Sequence, residues 1–216
     1  MQFLITAGGT REYIDPVRYI SNASSGRMGY ALAEAAQKRG HKVTLISASY
    51  MQPAIGIDFV GVENAEQMFE AVKEFFAECD CLIMAAAVSD YTPSRPRKTK
   101  IKRSNKQLVI RLKPTRDILK WAAENKNVKG KRRILVGFAL EDKNLRRNAE
   151  KKLKEKNLDM IIANEPLAIG SEKSTVHIKT ADSEWTKIEY GEKHSIARDI
   201  ISSIEALSKS LAGKKE

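Results

Sequence analysis

The chain runs to 216 residues, 42% of them hydrophobic, with a formal net charge of +11. That size and apolar content suit a globular protein with a substantial core, while no apolar run approaches the roughly 20 residues needed to span a bilayer. The opening "MQFLITAGG" has none of the basic segment, long apolar stretch or cleavage site of a secretion signal, so the expected compartment is the cytoplasm, with no membrane partner.

"QFLITA", residues 2–7, is a short apolar run closed by Gly8 and Gly9, which predicts a buried strand and a tight turn. A helix opens at Gly26, carries Met28, Ala31, Leu32 and Ala35 on one face and stops at Gly40. "KVTLIS" is the next strand. The helix "AEQMFEAVKEFFAEC" follows, with Met68, Phe69, Val72, Phe75 and Phe76 at helical spacing, and "CLIMAAAVSD" runs on as another strand. Residues 92–106 break the rhythm with prolines and a dense basic run, and are expected to form a mobile loop. Alternation in "QLVIRL" predicts a strand, a helix begins near Thr115, and "RILVGFALE" is a strand leading into the charged helix "NLRRNAEKKLKEKN". "LDMIIAN" ends the apolar strands and "STVHIKT" and "EWTKIEY" read as a hairpin. The last helix stripes Ile196, Ile200, Ile204, Leu207 and Leu211 before fraying into "AGKKE".

Strands without polar alternation are buried on both faces, as in a parallel sheet covered by helices. The expectation is one α/β domain over residues 1–216, with a Rossmann-like, doubly wound, mostly parallel sheet, helices on both faces, and a small hairpin and strap-loop region. Ligands of such sheets bind at the carboxyl ends of the strands. That rule selects Gly8, Gly9 and Thr10 after the first strand, Ser89, Asp90 and the basic loop after "CLIM", and Phe138 and Glu141 after "RILVGFA".

The stretch "PVRYISNASSG" leads into the first helix. Ser24, Ser25 and Gly26 sit where free N–H groups and the positive dipole end favour an anion, although ordinary serine capping explains them as well. Asn22 offers an amide that donates and accepts, or simply stabilises a turn, and Arg18 is either a solvated charge or an anion clamp. More than a dozen residues separate the strand's glycines from the helix, so this is a weak match to a dinucleotide fingerprint. Lys152 and Lys156 lie one helical turn apart on a helix that is lysine-rich throughout, and Phe138 reads as core. The run "RPRKTKIKR" either covers a polyphosphate or binds nucleic acid, but no aromatic residues interleave it as a stacking platform requires. Cys79 and Cys81 have no second pair to complete a metal site and read as reduced thiols, and His41, His177 and His194 are scattered.

In order, "ITAGGTREYIDPVRYISNASSGRMGYALAEAA", "MAAAVSDYTP", "KIKR", "RDIL", "VGFALE" and "KNLDMIIAN" resemble the phosphopantothenate–cysteine ligase family, bacterial CTP-dependent type, from about Gln2 through Asn164. The resemblance implies ligation of 4'-phosphopantothenate to L-cysteine in two steps. The carboxylate attacks the α-phosphate of CTP, giving an acyl-cytidylate and pyrophosphate, and the cysteine amine then displaces CMP. It further implies Mg2+ or another divalent cation with the triphosphate, no nucleic-acid partner, and a homodimer in which Arg18 reaches the neighbour's substrate.

Carried over residue by residue, the family pattern makes Asn22 and Lys100 catalytic. Asn22 contacts the acyl carbonyl, and Lys100 offsets charge on the α-phosphate. Gly9, Thr10, Arg18, Asn22, Ser25 and Gly26 would bind the acid substrate. Met84, Ala85, Ala86, Asp90, Lys100, Arg116, Asp117, Ile118, Leu119, Phe138, Lys152 and Lys156 would bind CTP, and no metal ligand is assigned. This chain has Thr115-Arg116-Asp117-Ile118 where the family often reads Asn-Pro-Asp-Ile, so contacts there are expected to differ. Relatives often carry a flavin-dependent decarboxylase domain ahead of the ligase, so the chain is expected to be a stand-alone ligase or one domain of such a protein. The competing expectations are a basic nucleic-acid-binding protein and a nicotinamide-dependent reductase.

Overall fold

A computed structural model describes residues 1–128, 130–165 and 173–213. The first strand, β1 (Gln2–Ala7), is buried over nearly all its length and ends at the Gly8 turn. The loop beyond it folds back as a two-stranded ribbon of β2 (Arg11–Tyr13) and β3 (Tyr19–Ser21) before α1 (Arg27–Lys38) begins. Next come β4 (Lys42–Ser47), β5 (Asp58–Gly61) and α2 (Ala65–Phe76), the helix capped by the Asn64 side chain on Gln67 N. After β6 (Cys81–Met84), a second ribbon joins β7 (Tyr91–Pro93) to β8 (Leu112–Pro114), with the basic segment as the long excursion between them. Helix α3 (Ile118–Glu124) is capped by Asp117, and a third ribbon of β9 (Asn127–Val128) and β10 (Lys131–Arg132) leads to β11 (Ile134–Leu140). The chain continues through α4 (Leu145–Glu155), β12 (Met160–Asn164), β13 (Lys173–Thr180), β14 (Thr186–Glu192) and α5 (Lys193–Gly213).

Eight of these strands form one sheet in the order β14-β13-β12-β11-β6-β1-β4-β5. The six from β12 to β5 pair in parallel, so the chain winds outward from β1 to β5, crosses back to β6 and winds the other way. The strand order therefore reverses between β1 and β6, and a crevice opens at such a reversal. Helices α1 and α5 cover one face through Leu32, Ile200 and Ile204, and α2, α3 and α4 cover the other through Met68, Phe76, Ala122 and Leu153. Burial on both faces is why the central strands read as continuous apolar runs.

Several expectations need correction. The predicted C-terminal hairpin does form, β13 pairing antiparallel with β14, and what was not anticipated is that β13 also pairs antiparallel with β12 and so joins the hairpin to the edge of the main sheet. "QLVIRL" is not a strand; only its last residue enters β8, and Leu108 and Val109 stay exposed because no neighbouring strand pairs with them. The strand "CLIM" leaves the sheet after Met84, where Ala87 turns to accept from Thr10 N and to donate to Gly8 O. The helix expected near Thr115 starts at Ile118, because Asp117 accepts from Lys120 N and closes its first turn. The short edge strand β5 was not anticipated, and the end of the fraying tail lies outside the described residues.

Candidate functional site

The reversal point is built by two loops lying side by side. Gly9 pairs with Ala87 in a parallel bridge, Thr10 Oγ1 accepts from Ser89 N at 2.9 Å, and Thr115 Oγ1 donates to Ser89 O at 2.7 Å. The β2–β3 ribbon then folds over this seam. A Cβ on Gly9 would lie 2.6 Å from the Asn22 carbonyl oxygen, so glycine is what lets the ribbon close. Asn22 itself bridges the seam, its Nδ2 donating to Ala87 O and Val88 O at 3.2 Å each. Two carbonyls on one amide nitrogen also settle which end of the side chain faces the sheet.

Ser24, Ser25 and Gly26 do lie at the start of α1, where the Ser24 and Ser25 hydroxyls accept from Gly26 N at 3.4 Å and Arg27 N at 3.5 Å, but neither serine is the N-cap residue. Gly26 is the N-cap, in the left-handed region at φ 81°, with no side-chain cap. Ser25 instead offers its carbonyl to Ser49 Oγ at 3.2 Å, which ties the helix start to the loop after β4.

Asp15 escaped the sequence reading, although its Asp-Pro dipeptide marks a turn. Its buried carboxylate accepts from Val17 N at 2.8 Å, Arg18 N at 2.9 Å, Arg18 Nη1 at 3.2 Å and Ile101 N at 3.1 Å. Arg18 Nη2 donates to Ile101 O at 3.1 Å, and Arg97 N to Ile14 O at 2.8 Å. These bonds join the basic loop to the turn before β3, and exposed Lys100 stands next to the bonded Ile101. Burial raises the Asp15 pKa, but the N–H groups of Ile101, Val17 and Arg18, with the Arg18 charge, outweigh it and hold the carboxyl below its usual value. A depressed folded pKa stabilises above the ordinary aspartate value of about 3.9, and that contribution is lost as pH falls through the lower folded value. Asp15→Asn is accordingly expected to release the loop at neutral pH as acid does in the parent protein. Faster amide exchange at Ile101 and quicker tryptic cleavage after Lys100 would report it; unchanged protection would remove Asp15 from this role.

On the β11 side, Lys152 reaches in from α4 and donates to Phe138 O at 2.7 Å. Burial pushes its pKa below the ordinary lysine value, against the pull of the Glu141 and Asp90 carboxylates. Lys156 is ion-paired with Asp117 at the α3 cap. Burial raises the Asp117 pKa, but the bonds from Lys156 and Lys120 N hold it below the usual value. Neither lysine is a free solvated charge on a helix face. Met84, Ile118 and Leu119 are buried in the core, and Ala85 and Ala86 are partly buried. Phe138 is half-buried and packs against the α1–α5 core.

Arg116 is not brought to the others. It is ion-paired with Glu66 and Glu70 of α2 and stacks 4.0 Å over Phe69, which ties the segment before the α3 cap to α2. Cys79 and Cys81 are buried free thiols, and burial pushes the Cys79 pKa up to about 12. Among the described residues no cluster of three His, Cys, Asp or Glu is placed to hold a metal, and no helix is long and apolar enough to cross a membrane.

Strand order and seam define a doubly wound α/β protein with a candidate ligand site at the reversal between β1 and β6, where such sheets bind their ligands. Residues 1–207 match the family described as DNA/pantothenate metabolism flavoprotein C-terminal domain, and the chain belongs to that family. The coenzyme A biosynthesis bifunctional protein CoaBC of Bacillus subtilis (strain 168) is 42% identical over 212 residues, which cover 95% of this chain and 51% of that protein. A prokaryotic protein called cysteine/cysteine sulfinic acid decarboxylase is 46% identical over 209 residues, 94% of this chain and 57% of that one. This chain thus spans about half the length of these curated relatives. A crystal structure of the CoaBC C-terminal domain superposes with a TM-score of 0.82 at 38% identity, covering 97% of this chain and 96% of that one.

Proposed function

We propose that this chain joins 4'-phosphopantothenate to L-cysteine, activating the acid with CTP through an acyl-cytidylate and releasing pyrophosphate and CMP. The observation that carries the reading is Asn22, an exposed amide suspended across the reversal point on two 3.2 Å bonds. Those lengths are at the long end of the N–H···O range, so the amide exchanges them for an acyl carbonyl at small cost.

A carboxylate is a poor electrophile and must become a mixed anhydride before an amine attacks it. Lys100, positioned by the Ile101–Asp15 bond, offsets the charge that builds on the α-phosphate. N–H groups at the start of α1 and the inward Lys152 supply further positive potential. Asn22 then donates to the acyl oxygen as it becomes an oxyanion under attack by the cysteine amine. A divalent cation such as Mg2+, when bound, neutralises triphosphate charge. One or two carboxylates with phosphate oxygens suffice for that, and Asp90 and Glu141, both acting on Lys152, are the groups that fit.

Release of pyrophosphate with both substrates present, compared between CTP and ATP, tests the reading. No release with either nucleotide would defeat it, and faster release with ATP would remove the CTP assignment. Lys100→Gln is expected to slow this release at least tenfold with little change in thermal stability, since an exposed lysine buries little; normal turnover would exclude Lys100 from the first step.

The reading includes a homodimer. Val17, Tyr19, Ile20, Tyr91, Leu108, Val109 and Leu112 expose apolar surface on the two ribbons and the loop joined to them. Exposed apolar side chains on these ribbons are what the dimer reading draws on. Tyr19→Asp with Val109→Asp is expected to shift the molar mass in solution, measured by light scattering, from two chains to one. A parent protein that is already monomeric at working concentration would contradict the dimer.

A further inference from the structure

Beside the reversal point, at the carboxyl ends of β4 and β5, a cleft of about 620 Å³ is lined by Ser47, Ser49, Tyr50, Phe59, Glu63 and Arg11. The Arg11 side chain is only 7% exposed, yet its Nε and Nη1 have no hydrogen-bond partner. One N–H on Nε and two on Nη1 make three of its five donors unused. A buried guanidinium in that state is costly unless something else binds it.

The surroundings limit what that is. Glu63 Oε1 stands 3.8 Å from Arg11 Nη2, and the Tyr50 ring, 80% exposed, lies 4.4 Å over the guanidinium as a movable cover. Arginine and glutamate nearly cancel, so a dianionic phosphate would meet repulsion from Glu63, whereas a zwitterion finds a cation for its carboxylate and an anion for its ammonium. The frame is firm: Arg11 N donates to Glu63 O at 2.7 Å, and Glu12 Oε1 accepts from Ala65 N at 2.9 Å.

We propose that this cleft binds a free α-amino acid, with Arg11 on the carboxylate and Glu63 on the ammonium. Resting on the ligase reading, the amino acid is the amine substrate, L-cysteine. Arg11 faces Ser21 across the β2–β3 ribbon, and Asn22 is the next residue. The ribbon that carries Arg11 into the cleft thus leads directly into Asn22, the amide assigned to the acyl group.

Calorimetry on the whole chain under reducing conditions, with L-cysteine, 3-mercaptopropionate (no ammonium) and cysteamine (no carboxylate), tests the site without turnover. The parent protein is expected to bind L-cysteine best. Arg11→Met should weaken L-cysteine at least tenfold, to the level of cysteamine, and Glu63→Gln should bring it to the level of 3-mercaptopropionate. Arg11→Met keeps side-chain length, and half-exposed Glu63 stays hydrated, so the variant is expected to fold; its melting temperature checks this. In turnover the KM for cysteine should rise and that for CTP should not. Parent-like L-cysteine binding by Arg11→Met, no binding by the parent, or an unmoved KM for cysteine would overturn the proposal. Pyrophosphate release separates the two readings. Its absence beside Arg11-dependent binding defeats the ligase and leaves an amino-acid site, and its presence without such binding defeats the site alone.

Discussion

Asn22→Asp is expected to lower the rate of amide formation by roughly 100- to 1,000-fold, the loss of about 2.7–4 kcal/mol that follows removal of one donor to an oxyanion. Two effects combine. The new carboxylate faces the Ala87 and Val88 carbonyl oxygens that the amide nitrogen now bonds, and it stands where negative charge must develop in the second step. Pyrophosphate release in a single turnover should suffer less than product formation, leaving acyl-cytidylate on the enzyme when cysteine is supplied. Quenched reactions read by mass spectrometry decide this. A variant that makes product at the normal rate, or one that loses both steps equally, would show that the amide does not act on the acyl group. Asn22 is exposed, so thermal stability should change little.

Asp159→Ala should have the larger effect on stability. Buried Asp159 accepts from Leu135 N at 2.8 Å, Lys126 Nζ at 2.8 Å and Arg132 Nη2 at 2.6 Å. Removing it leaves the Lys126 ammonium buried with, among the described residues, the Asn157 carbonyl at 2.9 Å. Breaking one side of a buried pair costs roughly 3–5 kcal/mol, about 6–20 °C in melting temperature for a chain of this size. The network anchors the start of β11, the strand that carries Phe138 to the crevice, so activity should fall near the melting temperature before it falls at room temperature. A drop of under about 2 °C in calorimetry would mean that Lys126 is fully served by Asn157.

The apolar strands were legible because a strand buried on both faces has no polar alternation to confuse the reading. Strand β5 was not, since Asp58, Phe59 and Gly61 are exposed at the sheet edge. "QLVIRL" misled for the opposite reason, as alternation shows compatibility with a strand and says nothing about whether a partner strand arrives. Asn22, Lys152 and Lys156, singled out in the sequence, each make a long-range contact: to Ala87 O, to Phe138 O and to Asp117. Arg116, in the stretch that departs from the family pattern, stands just before the α3 cap and pairs with Glu66 and Glu70.

Composition and local pattern by themselves determined an α/β chain with apolar parallel strands, a glycine turn after the first, a polar segment before the first helix and a basic excursion after Asp90. These are short-range properties, set by which side chains neighbour one another along the backbone. Only the tertiary structure decided that Asp15 docks the basic loop, that Asn22 bridges the seam between β1 and β6, and that Arg11 is buried with donors to spare. Each depends on groups far apart in the chain: Asp15 and Ile101, Asn22 and Ala87, Arg11 and Glu63. Hydrogen bonds and ion pairs act over a few ångströms, so which partners meet is settled by how the sheet winds and where its order reverses.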